Sequence, residues 1–126
     1  MPYLSFERNI KEALNATTNY EETPLHLAAA KGHCDIVNFL AKKECDLNGK
    51  TKIKDRSYTA MHLATLQNHR NVVKCLLENG ADFRIKDHEP LSVFILAVEH
   101  GRVEIANELI NNGADVNETF NIDSKL

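Results

Sequence analysis

The sequence predicts an all-α repeat solenoid, and three observations predict it. The segment Thr23-Pro24-Leu25-His26-Leu27-Ala28-Ala29-Ala30-Lys31-Gly32-His33 returns 36 residues later, from Thr59 to His69, and after a further 33 from Ser92 to Arg102. An apolar run of helical spacing follows each copy. Two of those runs close on the same Asn-Gly-Ala-Asp, at 79–82 and 112–115. Self-similarity at a period of this size marks units that bury their apolar faces only by stacking on neighbours.

Taken in order, residues 1–14 carry Ser5 as a cap, with Phe6, Ile10 and Leu14 on one face of a helix. This reads as the second helix of a partial repeat covering the exposed side of the first full one, since end repeats otherwise leave an apolar face in water. Residues 15–22 are a short polar turn or finger. Thr23 suits a helix N-cap and Pro24 the first helical position, where a missing N–H is harmless. Gly32 stops that helix in the left-handed conformation; Asn68 and Gly101 hold the same place in the other copies. The second helix takes its stripe from Ile36, Val37, Phe39, Leu40 and Ala41, then Val72, Val73, Cys75, Leu76 and Leu77, then Ile105, Ala106, Glu108, Leu109 and Ile110. The first of these ends on Lys43-Glu44-Cys45-Asp46, without the glycine, and is expected to fray or lie differently.

The three copies of Thr-Pro-Leu-His-Leu-Ala-Ala, Gly-His, apolar helix and Asn-Gly-Ala-Asp-Val-Asn resemble the ankyrin repeat over roughly residues 15–118. The resemblance implies an ankyrin-like stack of antiparallel helix pairs with projecting β-hairpin fingers. It divides a single domain, 1–126, into a partial capping repeat (1–20), repeats at 21–56, 57–89 and 90–118, and the start of a further finger or tail at 119–126. It also implies that His26 and His62 tie one turn to the next by hydrogen bonds. The third copy lacks the proline and has Ile95 in place of that histidine. By the same resemblance, partner contacts fall on either side of each repeated segment: Tyr20, Glu22, Ala30 and Lys31; Asp55, Arg56, Tyr58, Leu66 and Gln67; His88, Glu89, Glu99 and His100. Tyr20 and Tyr58 offer the largest apolar area with a polar handle, unless they pack between neighbouring fingers.

Composition narrows the function. A net charge of −3 argues against a nucleic-acid binder defined by bulk charge, and no apolar run is long enough to span a membrane. The N-terminus has no basic region followed by an apolar core, so it does not read as a signal peptide. The odd number of cysteines, Cys34, Cys45 and Cys75, has no framework spacing and reads as reduced thiols in an intracellular protein, with the cytoplasm favoured over the nucleus. His26 and His62, and likewise His33 and His69, recur by register. Equivalent positions in adjacent repeats lie about 10 Å apart, too far to share a zinc at about 2.0–2.1 Å from each nitrogen. Asp82 and Asp115 also recur by register and read as turn-formers. With no nucleophile motif and no phosphate loop, the sequence implies no enzyme activity, cofactor or metal site.

One stretch departs from the repeat. The connection between copies one and two is three residues longer than the next and carries Lys50, Lys52, Lys54 and Arg56 at alternate positions after Asn48-Gly49. In an extended strand these side chains share a face, and the following finger repeats the pattern with Arg84, Lys86 and His88. Such a strip serves either to keep an exposed hairpin polar and unaggregated or to dock an acidic segment of a partner protein. Phosphate ligands or RNA would use the same charges, but interleaved aromatics for base stacking are missing. The reading is therefore a non-catalytic protein-interaction module, scaffold or adaptor, binding through finger tips and the first-helix face. The alternative is a structural spacer with no ligand of its own. The nine residues after Asn117 are too few for another helix pair, so the chain is expected to be a segment of a longer array or multidomain protein.

Overall fold

The computed structural model describes residues 13, 16–52, 56–85 and 92–117. Six helices alternate with turns: α1 (Pro24–Lys31), α2 (Cys34–Lys42), α3 (Ala60–Leu66), α4 (Arg70–Glu78), α5 (Val93–Glu99) and α6 (Val103–Asn111). Each odd-numbered helix begins as its sequence dictates. Thr23 and Thr59 accept the backbone N–H of His26 and His62, and each histidine returns a bond to the cap's own N–H, closing a capping box. Ser92 accepts from Ile95 N–H at 3.2 Å, so the third copy keeps half of that device. The left-handed stop sits at Gly32 (φ 81°), Asn68 (φ 59°) and Gly101 (φ 66°), as the sequence implied.

The second-helix ends hold a correction. The first does not lie differently from the others: Glu44 takes φ 62° where Gly80 and Gly113 take 89° and 101°. Backbone bonds from Lys43 and Glu44 to Leu40 and Ala41 then close the helix end as Asn79 and Gly80 do.

Helices α1, α3 and α5 pack in one row and α2, α4 and α6 in a second, each helix against its pair-mate and its row neighbours. The core runs continuously along the stack through Leu25, Val37 and Leu40, then Met61, Val73 and Leu76, then Val93, Ile105 and Leu109. The α2 stripe is narrower than its spacing predicts. Val37 and Leu40 are buried, but Ile36 and Phe39 are exposed, because they stand on the edge of the stack that looks away from repeat two.

Candidate protein-interaction surface

The fingers connect these helix pairs on one side. Thr51 is buried; its N–H donates to the Tyr58 carbonyl at 2.9 Å and its Oγ1 accepts the Tyr58 N–H at 3.1 Å. With Thr51 turned inward, its neighbours Lys50 and Lys52 are exposed. The Lys52 N–H donates to the Tyr20 carbonyl at 2.7 Å, which sets the first finger beside the second. Arg56 is exposed and forms a β-bridge, while no longer strand occurs among the described residues. Lys54, Asp55, His88 and Glu89 lie outside the described residues. Arg84 is exposed, its guanidinium 4.5 Å from the centre of the buried Phe83 ring.

The two tyrosines separate. Tyr20 is exposed, whereas Tyr58 is half-buried, tilted against the His62 ring with centroids 6.2 Å apart. Glu22 is held at the base of the first finger, accepting from the Thr18 hydroxyl at 3.1 Å. Along the first-helix row, Lys31, Gln67, Glu99 and His100 are exposed and Ala30 and Leu66 half-buried. His100 is tied to its own helix through Nδ1 and the Leu96 carbonyl at 3.0 Å. The asparagine–aspartate turns sit at equivalent places: Asp46, Asp82 and Asp115 each accept the N–H two residues on at 2.9 Å. Asn48 links two of these turns by accepting the Asp82 N–H at 2.8 Å.

Three side chains tie one turn or repeat to the next, and only part of this was apparent in the sequence. The buried His26 accepts the Thr23 N–H on Nδ1 at 3.0 Å; Nε2 is therefore protonated and donates to the Gly49 carbonyl at 2.8 Å. Burial pushes its pKa below the ordinary 6.5, opposed by the Gly49 bond and by Glu22 and Asp46. His69 reaches back to the Ala30 carbonyl at 3.1 Å. Its ring lies so close over Gly32 that a Cβ there would stand 2.7 Å from Nδ1. Arg102, the same position one repeat on, donates to the carbonyls of Thr65 at 3.3 Å and Leu66 at 2.9 Å. The repeat register placed His33, His69 and Arg102 at one position; that His69 and Arg102 reach back to carbonyls of the preceding repeat was not legible, because arginine and histidine do not announce a shared role by type.

The outer row has its own ties. Cys75 donates its thiol to Asn38 Oδ1 at 2.9 Å, and Asn79 donates to the same oxygen at 3.1 Å. Burial, with Cys34 alongside, pushes the Cys75 thiol up to about 12. Arg70 pairs with Glu104 at 3.3 Å and Glu108 at 3.8 Å. Cys45 packs half-buried against the core, and burial raises its pKa as well. No group of three or more metal-ligating side chains gathers among the described residues.

Comparison with known families agrees with this geometry. A family model described as ankyrin repeats (3 copies) matches residues 49–120, and a second, ankyrin repeats (many copies), matches residues 7–55. The chain is 37% identical over 136 residues to Rabankyrin-5 of Homo sapiens, a match covering 85% of this chain and 12% of that protein. It is 33% identical over 92 residues to Alpha-latroinsectotoxin-Lt1a of Latrodectus tredecimguttatus, covering 73% of this chain and 6% of the toxin. It is 27% identical over 128 residues to Potassium channel AKT2/3 of Arabidopsis thaliana, covering 79% of this chain and 16% of the channel. The chain thus spans a small part of the length of each relative. No helix among the described residues is long and apolar enough to cross a membrane.

Proposed function

The chain belongs to the ankyrin repeat family, whose repeats mediate protein–protein interaction, and from that premise we propose a non-catalytic docking module for an acidic segment of a partner protein. The segment lies across the fingers, with Lys50, Lys52, Lys54 and Arg56 meeting its carboxylates and Tyr20 supplying apolar contact. The adjoining first-helix row, at Lys31, Leu66 and Gln67, extends the same surface, and the repeats at 21–56, 57–89 and 90–118 act as one domain. The observation that carries this reading is the backbone bond from Lys52 to Tyr20, since it puts an exposed aromatic anchor beside exposed lysines on neighbouring fingers. Aromatic anchors dominate interface energies, and surrounding charge raises the encounter rate and selects the partner.

The test is a capture from cell lysate at low and high salt, with the bound protein identified. It compares the wild type with a folded variant carrying Lys50→Glu, Lys52→Glu, Lys54→Glu and Arg56→Glu. A partner weakened by salt and lost from the variant supports the finger strip. A partner held equally by both moves the site to the first-helix row around Leu66 and Gln67, and absence of any partner favours the spacer reading.

A further inference from the structure

We propose that Cys34 and Cys75 form a peroxide-sensitive dithiol: a hydroperoxide converts them to a disulfide that fastens repeat one to repeat two.

The two cysteines stand on helices that pack side by side, Cys34 opening α2 and Cys75 inside α4. Each sulfur already lies against the other's main chain. The Cys75 thiol is 3.9 Å from the Cys34 carbonyl oxygen. The Cys34 thiol points to the Asn71 carbonyl at 3.7 Å. In a helix that carbonyl is the acceptor for the N–H four residues on, which here is that of Cys75. The next junction shows that the repeat register brings these two positions together. There the equivalents are Arg70 and Glu108, whose side chains meet as an ion pair at 3.8 Å. The third thiol is excluded by distance. Cys45 lies beyond the far end of the nine-residue α2, and at about 1.5 Å per residue that helix is about 12 Å long, roughly twice the span a disulfide bridges.

The surroundings suit the oxidised state as well as the reduced one. In the reduced protein Cys75 donates to Asn38 Oδ1 at 2.9 Å, and Asn79 donates to the same oxygen at 3.1 Å. Loss of the Cys75 proton therefore leaves that oxygen with a donor. Both cysteines pack with the apolar core, where a disulfide replaces two thiols without adding a polar group. Cys34 is half-buried and lines a polar recess with Gly32, His33, Asp35 and Asn71, wide enough to admit a small oxidant, whereas Cys75 is buried. Burial, with the Cys34 thiol beside it, pushes Cys75 up to about 12. Cys75 thus stays protonated and enters second.

The order of events follows. The Cys34 thiol loses its proton and its sulfur attacks one oxygen of the hydroperoxide. The O–O bond breaks, the departing oxygen takes up the proton, and Cys34 becomes a sulfenic acid. The Cys75 sulfur then attacks the Cys34 sulfur; the S–O bond breaks, and the Cys75 proton leaves with that oxygen as water. Two electrons have passed from the two sulfurs to the peroxide, which is reduced to water, or to water and an alcohol. The new bond joins residues far apart in sequence, so it restrains the unfolded chain and holds α2 to α4.

The test treats the folded chain with hydrogen peroxide, blocks the remaining thiols with an alkylating reagent in denaturant, and maps the peptides by mass spectrometry. Wild type is compared with Cys45→Ala, which takes the residue found at the equivalent positions 81 and 114. Both should lose two hydrogen atoms per monomer and yield a peptide linking Cys34 to Cys75. The link should form faster in the folded chain than in urea and should raise the midpoint of urea denaturation, and dithiothreitol should reverse it. Two further variants lack one sulfur each: Cys34→Val, with the residue that its equivalent Val103 carries, and Cys75→Ser, which keeps a donor for Asn38. Once circular dichroism confirms that they are folded, neither should show the link or the raised midpoint. A sulfenic or sulfinic acid at Cys34 that never passes to Cys75 overturns the proposal. So does a link that forms faster in urea, or one that leaves the midpoint unchanged or lower.

Discussion

At the scale of the residue, His26 acts through both ring nitrogens, and the bond that Nδ1 accepts requires the ring to be neutral. Nδ1 accepts within its own capping box and Nε2 donates to the next turn at Gly49. A second proton would remove the Nδ1 acceptor and bury a charge, which is why burial depresses the pKa. The sign of the linkage follows. Above pH 6.5, the ordinary value, folded and unfolded chains both carry neutral histidine and the contribution is fully present. As pH falls below 6.5 the unfolded chain takes up a proton that the folded chain refuses, so stability is lost until the folded pKa is reached. Each unit of depression is equivalent to about 1.4 kcal/mol. Urea denaturation between about pH 8 and about pH 5 should show the wild type losing stability on the acid side. His26→Gln should be less stable at neutral pH but with a flatter acid slope; parallel slopes in the two proteins would remove His26 as the source.

At the scale of the element, the helices of each row end alike on a left-handed residue, and the one outer helix without a glycine there tests the rule. Glu44 holds a left-handed conformation that its Cβ disfavours by about 1–2 kcal/mol, at the position where the other outer helices use Gly80 and Gly113. Glu44→Gly should therefore stabilise the protein by about 0.5–1 kcal/mol, the relief being partly offset by the larger entropy that glycine loses on folding. A thermal melt that drops on this substitution would mean that the Glu44 side chain makes a compensating contact. The same helix end shows what was readable in the sequence. Thr23, Gly32 and their copies announced each first helix because caps and stops are local chemistry. The missing glycine at Glu44 suggested a different ending, yet the packing of Val37 and Leu40 imposed the common one. Ile36 and Phe39 read as core because periodicity gives a stripe but not which neighbour covers it. The turn role of Asp82 and Asp115 was legible from register alone. The Asn38–Cys75–Asn79 network and the Arg70 ion pairs were not, since they join residues 34–41 positions apart whose types differ from repeat to repeat.

At the scale of the whole molecule, helix packing runs from neighbour to neighbour along each row, so stability is a sum of units and junctions rather than one indivisible core. A junction can then be weakened without unfolding what lies beyond it. Arg102 clasps the last turn of α3 through two carbonyls and so ties α5–α6 to the inner row. Losing a charged donor from two such bonds costs about 1–3 kcal/mol. Because both bonds cross the junction between α3 and α5–α6, that loss falls first on the local opening of α5–α6 and less on the repeats before it. Hydrogen exchange of Arg102→Ala should accordingly show protection falling in residues 93–111 while α1 and α2 stay near wild type. Leu76→Ala differs in kind: Leu76 is fully buried in the middle repeat, its truncation costs about 2–5 kcal/mol, and both other helix pairs pack on the middle one. Protection should then fall in all six helices together. If Arg102→Ala also lowered protection uniformly, the three repeats would be unfolding as one unit and the description by separable junctions would fail.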